Sequence, residues 1–193
     1  MINTIFLIGA PCDGKTTVGF QLQEQFGFKL IQMSEILSAN GGDSIPSHII
    51  YQILKQKLSS LESNEIAIID GSPKTMESVL QWGIREYSPI CAIYFECHSH
   101  NQNVRSMEKL KLTSRVGVLY CIDANPDKNQ LLKEVCMILA REFYNRKILK
   151  DQIILTRIKT VIDKGVEKLI PPMDQERINV ATLSVSKVLS VSH

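Results

Sequence analysis

Eight residues near the start of the chain have the types and spacing needed to bind phosphate. They fit the pattern G-x-x-x-x-G-K-[ST] with Gly9, Ala10, Pro11, Cys12, Asp13, Gly14, Lys15 and Thr16. Glycines let backbone N–H groups turn toward an anion, and the lysine neutralises phosphate charge. The threonine hydroxyl at the last position is a ligand for Mg²⁺. The pattern therefore predicts a P-loop that binds a nucleoside triphosphate.

The alternative for this segment is a chance glycine turn with an exposed lysine. An apolar run precedes the segment and a helical pattern follows it, which is the context that the phosphate-binding loop requires. Asp13 is unusual for such a loop, because a carboxylate repels phosphates unless its side chain points away. We therefore predict a phosphate-binding loop in which Asp13 is the one unfavourable residue.

Asp70 is the second candidate for metal chemistry. It follows the apolar run Ile66 to Ile69, which predicts a buried strand. Ligands of open α/β sheets bind at the carboxyl edge of the strands, where a carboxylate holds Mg²⁺ or its water. The alternative is a turn residue before Gly71. We predict that Thr16 and Asp70 are the metal ligands.

The elements that must position these residues alternate between strand and helix. Apolar runs predict strands at Ile5 to Ile8, Lys29 to Ile31, Ile66 to Ile69, Ile90 to Phe95 and finally Arg177 to Ala181. Helical spacing predicts helices at Thr16 to Phe26, Ser47 to Leu58, Glu77 to Trp82, Lys128 to about Lys164, and Val185 to Val191. We expect Ser47 or Ser44 to cap its helix. Such alternation predicts an α/β fold with a parallel sheet.

Composition and charge narrow the class of protein. The 193 residues are 44% hydrophobic and 22% charged with a net charge of +2, which indicates one globular domain and no nucleic-acid partner. The five cysteines form no CxxC pair, so we expect reduced thiols without zinc or disulfides. Because no apolar span is long enough to cross a bilayer, we expect a cytoplasmic protein without membrane contact. We expect a monomer or a weak homo-oligomer.

Two segments resemble a known family. The run Asp70-Gly71-Ser72-Pro73-Lys74-Thr75 is similar to the D-G-F-P-R-T element of adenylate kinases and related nucleoside monophosphate kinases. Gly9 to Thr17 resembles their loop G-A-P-G-S-G-K-G-T. The resemblance implies a three-layer P-loop kinase fold over 1–193, with a parallel five-stranded sheet flanked by helices. It also implies an acceptor-side segment at about 32–60 and a helical lid insertion at about 106–150.

The resemblance also implies roles for individual residues. By position, the residues around the transferred phosphoryl group would be Lys15, Asp70, Arg115 and Arg157. ATP would be bound by Gly9, Ala10, Pro11, Cys12, Asp13, Gly14, Lys15, Thr16, Thr17 and Arg105. The acceptor would contact Met33, Glu35, Ser38, Gly71 and Lys74. Cations suit these positions because phosphoryl transfer depends on positioning and charge neutralisation. The resemblance also places Lys109 among the lid-side basic residues, and solvated surface charge is the alternative for Lys109 and Arg141.

The chain departs from the family on the acceptor side. The family's S-T-G-D run is replaced by Gln32-Met33-Ser34-Glu35, and its monophosphate-binding arginine falls at Ser38. A second acceptor arginine has become Lys74, and an ammonium group cannot reproduce the bidentate contacts of a guanidinium. The donor site thus matches the family and the acceptor site is altered, which argues against AMP as the acceptor.

Three functions are compatible with these residues. We predict a phosphotransferase that moves the γ-phosphate of Mg-ATP to a nucleoside monophosphate or a related small acceptor. The alternative is a catalytically impaired nucleotide-binding regulatory or interaction protein, which Ser38 and Lys74 favour. The third is a nucleotide-hydrolysing switch, although the chain has no guanine-reading N-K-x-D element.

Overall fold

The structure of the protein is a computed structural model that describes residues 3–71, 88–97, 118–124, 127–146 and 152–163. The chain divides into two compact units, Met1–Asn125 and Pro126–His193. Within the described ranges, no helix is long and apolar enough to span a membrane.

The first unit contains strands and helices in alternation. Its strands are β1 (Asn3–Gly9), β2 (Lys29–Gln32), β3 (Ile66–Gly71), β4 (Ser88–Glu96) and β5 (Leu119–Asp123). Its helices are α1 (Lys15–Phe26), α2 (Met33–Ala39) and α3 (Ser47–Ser59), with a 3-10 turn at Gly42–Ser44. The second unit contains α4 (Lys128–Arg146) and α5 (Gln152–Asp163), which pack against each other.

The strands form one sheet in the order β2-β3-β1-β4-β5, and every neighbouring pair is parallel. The predicted five-stranded parallel sheet is therefore confirmed. Its inner strands are apolar along their length because residues on both faces are buried, as Ile5, Phe6 and Leu7 of β1 show. All five carboxyl ends lie at one edge, which is where α1 begins after β1.

The fifth strand of the sheet, β5, was not predicted from the sequence. We expected it at Arg177 to Ala181, which lies outside the described residues, whereas the structure forms β5 at Leu119–Asp123. This stretch falls within the segment assigned to a lid, about 106–150, so that part belongs to the sheet. Its only buried residue is Ile122, so it lacks the continuous apolar run by which a central strand is recognised.

Most of the helices agree with the predictions. α1 and α3 lie within one residue of the predicted bounds, and the predicted tract from Lys128 is helical over α4 and α5. The predicted apolar face of α4 is buried at Leu131, Leu132, Val135, Leu139 and Phe143, and half-buried at Ile138. The predicted helices at Glu77 to Trp82 and Val185 to Val191 lie outside the described residues.

The predicted serine cap of α3 is wrong, and α2 was missed. Pro46 occupies the cap position of α3 with φ −62°, and no side chain caps the helix. The Pro46 carbonyl instead accepts hydrogen bonds from the Ile49 and Ile50 N–H groups at 3.0 and 3.3 Å. The fixed φ of proline favours this entry into a helix. In α2 only Met33 and Ile36 are buried, which is too short a pattern to reveal a helix.

Apolar packing of α2 and α3 against the sheet fixes the region beside the carboxyl edge. Phe6 and Ile8 of β1, Ile31 of β2 and Ile69 of β3 share one buried cluster with the apolar faces of both helices. On α3 the buried residues are Ile50, Leu54 and Leu58, one every four residues. α1 packs on β1, β2 and β3 through a face that buries Val18, Leu22 and Phe26.

Leu54→Ala should lower the free energy of unfolding by about 2–5 kcal/mol, because it removes a fully buried side chain from this cluster. Gln52→Ala, two residues away on the exposed side of α3, is the matched control and should change little. Urea unfolding followed by circular dichroism measures both. Equal effects of the two substitutions would contradict the packing of α3.

Candidate functional site

The predicted P-loop connects β1 to α1 at the carboxyl edge of the sheet. Gly14 precedes α1 in the left-handed region with φ 83°, and no side chain caps the helix. The first N–H groups of a helix have no partner within the helix. With the partial positive charge of the helix terminus, these groups form a site that suits an anion.

Strand β4 passes so close to position 9 that this position must be glycine. Gly9 pairs in register with Phe95, and a Cβ at Gly9 would lie 2.8 Å from the Phe95 carbonyl oxygen and 3.1 Å from Asp13 Oδ2. Real Cβ atoms essentially never approach backbone to 2.8 Å. Any side chain at this position would displace the strand or the loop.

A tight turn carries the chain from Ala10 to Asp13. The Asp13 N–H donates to the Ala10 carbonyl at 3.3 Å, and Cys12 has φ 69°. Proline at the second position and a positive φ at the third are features of a type II turn, which favours glycine at the third position. Among the described residues, Cys12 is the one non-glycine residue with a positive φ.

Lys15 is buried at the first turn of α1. Its side chain is 8% exposed, and Nζ donates to the Ala10 carbonyl oxygen at 2.6 Å. Desolvation by burial lowers the pKa of Lys15 from its ordinary value, and this outweighs the opposing attraction of Asp70 and Asp13. The ammonium group is therefore held inside the loop by one carbonyl and two nearby carboxylates.

Thr16 and Asp70, the two predicted metal ligands, are in contact. Thr16 Oγ1 donates to Asp70 Oδ2 at 2.5 Å, although the residues are 54 positions apart. Asp70 is 5% exposed and lies in β3, between Gln32 of β2 and Leu7 of β1 in register. The alternative of a turn residue is wrong for Asp70, because it belongs to a central strand. A hydroxyl and a carboxylate thus lie side by side next to Lys15.

Asp13 folds back onto its own loop. It is 3% exposed, and Oδ2 accepts a hydrogen bond from the Ala10 N–H at 2.7 Å. The hydrogen bond turns the carboxylate into the loop, while its negative charge stays close enough to act on Lys15.

The acceptor-side residues are only partly brought together. Met33 is 1% exposed and belongs to the apolar core, and Gly71 ends β3 as a buried residue. Glu35 is exposed and accepts a hydrogen bond from Gln32 Nε2 at 2.7 Å. Ser38 Oγ donates to the Glu35 carbonyl at 3.1 Å within α2. Ser38 therefore makes a local helix contact, and the role of these residues in binding an acceptor stays a prediction.

Gln32 was not predicted as a site residue. It ends β2 directly beside Asp70 in the sheet register, and its side-chain amide contacts Glu35. The signal in the sequence was its position as the polar residue that follows a short apolar run. Glu96 and Asp123 end β4 and β5 in the same way and pair in register.

Of the other predicted site residues, the structure describes Arg157 and Thr17. Lys74, Arg105, Lys109 and Arg115 lie outside the described residues. Arg157 belongs to α5 of the second unit. Thr17 lies in the first turn of α1 and is half-buried.

The sheet order and the loop define a P-loop nucleotide-binding domain. A de novo designed protein with the P-loop NTPase fold, solved by NMR in solution, has a similar fold. The TM-score is 0.53 at 14% sequence identity, over 79% of this chain and 99% of the designed protein. At this identity the likeness shows the fold alone.

Three relatives by sequence are adenylate kinases. Adenylate kinase of Pyrococcus abyssi is 24% identical over 91% of this chain and 86% of its own length. Adenylate kinase of Methanosarcina mazei is 24% identical over 97% of this chain and 93% of its own length. Bovine adenylate kinase isoenzyme 5 is 29% identical over 54% of this chain, which spans 22% of that relative. No family model matches.

These relatives and the fold support a divergent member of the adenylate kinase and P-loop kinase group. At the level of the family, its kinase relatives support a P-loop phosphotransferase and leave the acceptor undefined.

Cys12→Gly should raise the free energy of unfolding by about 1 kcal/mol, because a non-glycine residue in the left-handed region costs roughly that amount. Cys12→Ala is the control, since it removes the thiol and keeps the Cβ, and it should give no such gain. Urea unfolding of both variants makes the comparison. An equal gain with alanine would assign the effect to the thiol.

Proposed function

We propose that the protein transfers the γ-phosphate of Mg-ATP to a nucleoside monophosphate or a related small acceptor. The observation that carries the proposal is the convergence of the Lys15 ammonium, the Thr16 hydroxyl and the Asp70 carboxylate at the start of α1. Each group has a distinct use in phosphoryl transfer, and all three come from elements that the sheet holds in place.

The donor phosphates would bind to the N-terminal turn of α1 and to Lys15. The ammonium group now donates to the Ala10 carbonyl, and phosphate oxygens would compete for the same hydrogens. Because Lys15 is buried, its charge is poorly screened by water and interacts strongly with an anion. Transferring this contact from a carbonyl to a phosphate replaces a neutral acceptor by a charged one, which strengthens the hydrogen bond.

Thr16 and Asp70 fit a role in holding Mg²⁺ beside the phosphates. Both offer oxygen, the donor atom that Mg²⁺ prefers, and both lie next to the phosphate-binding loop. In the described part of the chain, no group of three or more His, Cys, Asp or Glu side chains forms a metal site. That suits Mg²⁺, which binds through one or two protein ligands together with substrate phosphates. When bound, Mg²⁺ would neutralise charge on the transferring group.

The acceptor would bind beside Asp70 at the ends of β2 and β3. Gln32 and Gly71 lie at this edge, and α2 continues directly from β2 with Met33, Glu35 and Ser38. Arg105, Arg115 and Arg157 are proposed to contribute cations around the phosphoryl group, and Lys74 to contact the acceptor. The acceptor oxygen attacks in line, so the protein supplies positioning and charge and no nucleophile of its own.

A catalytically impaired nucleotide-binding protein is the second candidate. Two contacts of α2 favour it. The Ser38 hydroxyl donates to a backbone carbonyl of the same helix, and Glu35 places a carboxylate on its exposed face. An exposed carboxylate near an anionic acceptor raises the cost of binding that acceptor. Such a protein would bind Mg-ATP and transfer no phosphate.

ADP formation from Mg-ATP should require both an acceptor and Lys15. The experiment incubates the protein with Mg-ATP and each nucleoside monophosphate or deoxynucleoside monophosphate in turn, with a control that lacks the acceptor. Lys15→Ala should abolish ATP binding and turnover because it removes the ammonium from the loop. Lys57→Ala, at an exposed lysine of α3, is the control and should behave as wild type.

The outcomes separate the candidate functions. Turnover with one acceptor names the substrate, and ADP formed without any acceptor indicates a hydrolase. Lys15-dependent ATP binding without turnover over the whole panel favours the regulatory protein. Undiminished ATP affinity in folded Lys15→Ala would refute the donor site.

Asp70→Asn should weaken the effect of Mg²⁺ on ATP binding. Loss of a metal-site carboxylate should raise the Mg²⁺ concentration needed for half-maximal effect on ATP affinity roughly 10- to 100-fold. Asp123→Asn is the control, because Asp123 ends β5 at the same edge with two strands between it and β3. Isothermal titration calorimetry across a Mg²⁺ series measures both variants. The same Mg²⁺ dependence in the two variants would reject Asp70 as a ligand.

A further inference from the structure

The phosphate-binding loop contains a buried negative charge of its own. Asp13 immediately precedes Gly14 and Lys15, and 3% of its surface is exposed. A carboxylate this deep in a loop that binds an anion opposes the ligand. It also costs free energy to bury unless hydrogen bonds and opposite charge compensate it.

The structure provides both kinds of compensation. Asp13 Oδ2 accepts from the Ala10 N–H at 2.7 Å, and attraction between Asp13 and Lys15 acts to raise the pKa of the lysine. The carboxylate also lies where a Cβ on Gly9 would approach it to 3.1 Å, so its place depends on the glycine at that position. The Asp13 carboxylate is thus a buried, hydrogen-bonded part of the loop and does not point into solvent.

Ala10 links Asp13 to Lys15. Its N–H is used by the Asp13 carboxylate, and its carbonyl accepts from Lys15 Nζ at 2.6 Å and from the Asp13 N–H at 3.3 Å. The Ala10 N–H is therefore directed to an internal anion before any ligand arrives. A bound triphosphate must share Lys15 with the negative charge that Asp13 holds beside it.

We propose that Asp13 is a specificity-determining residue that makes the loop select Mg²⁺-bound triphosphate over metal-free triphosphate. Metal-free triphosphate carries more negative charge than its Mg²⁺ complex, because the cation cancels part of it. Repulsion from a fixed carboxylate grows with the charge of the ligand, and burial limits screening by salt. Asp13 thus penalises metal-free nucleotide more than the complex. This inference rests on the proposed donor site.

The test compares wild type with Asp13→Asn by isothermal titration calorimetry, with ATP in excess Mg²⁺ and with ATP in EDTA. Asparagine has the same shape, and its amide oxygen still accepts from the Ala10 N–H while the charge is removed. We expect the ratio of the Kd in EDTA to the Kd in Mg²⁺ to fall roughly 3- to 10-fold in the variant. The fall should come mainly from tighter binding of metal-free ATP.

Two further variants secure the result. Glu24→Gln removes a carboxylate from an exposed position nearer the end of the same helix, and it should leave the ratio at the wild-type value. Asp13→Ser removes the charge with a different side chain, so it serves if Asp13→Asn does not fold, and it should lower the ratio as well.

Failure of this inference differs from failure of the donor site. If wild type and Asp13→Asn both bind Mg-ATP and have the same ratio of the Kd in EDTA to the Kd in Mg²⁺, the inference is wrong and the donor site stands. If neither protein binds ATP with or without Mg²⁺, both are wrong. If Glu24→Gln lowers the ratio as much as Asp13→Asn does, the effect is a general one of charge, and this result would also overturn the inference.

Discussion

The burial of the Lys15 ammonium group is the constraint on which the arrangement of the loop depends. A buried cation is costly unless it is paired and hydrogen-bonded. Here the Ala10 carbonyl accepts from it at 2.6 Å, and Asp70 and Asp13 act on it electrostatically. Each of these partners is itself held by a hydrogen bond. The Ala10 carbonyl is held in the tight turn by the Asp13 N–H, and Asp70 accepts from the Thr16 hydroxyl. Asp13 accepts from the Ala10 N–H. The loop is consequently a closed set of polar contacts before any ligand binds.

The parallel sheet supplies the rigid frame for this set. β3 lies between β2 and β1, so Asp70 is fixed from both sides by backbone hydrogen bonds. Helix α1 then has to start where β1 ends, which places Thr16 against Asp70 across 54 residues of sequence. Because a parallel sheet collects all its carboxyl ends at one edge, residues distant in sequence meet without any long-range signal of their own.

This explains how much the sequence could predict. The strands β1, β3 and β4 are buried on both faces and read as continuous apolar runs, and the loop motif fixes the chemistry of Lys15 and Thr16. Strand β5 at the sheet edge and the short helix α2 have mixed patterns, so neither was found. The Asp13 contact with Ala10 and the proline entry into α3 depend on local backbone geometry, which residue types alone do not specify. Arg115 and Arg157 were assigned by resemblance, and their roles stay predictions.

The proposed donor and acceptor sides of the site differ in how they are built. The donor side consists of buried groups whose contacts tie β1, β3 and α1 together, so a change there disturbs several elements at once. The acceptor side places Glu35 and Ser38 on the exposed face of a seven-residue helix, where their contacts are local. Substitutions on such a surface cost little folding free energy. The residues on the exposed face of α2 can therefore change at little cost in stability, whereas a change in the loop disturbs contacts among β1, β3 and α1.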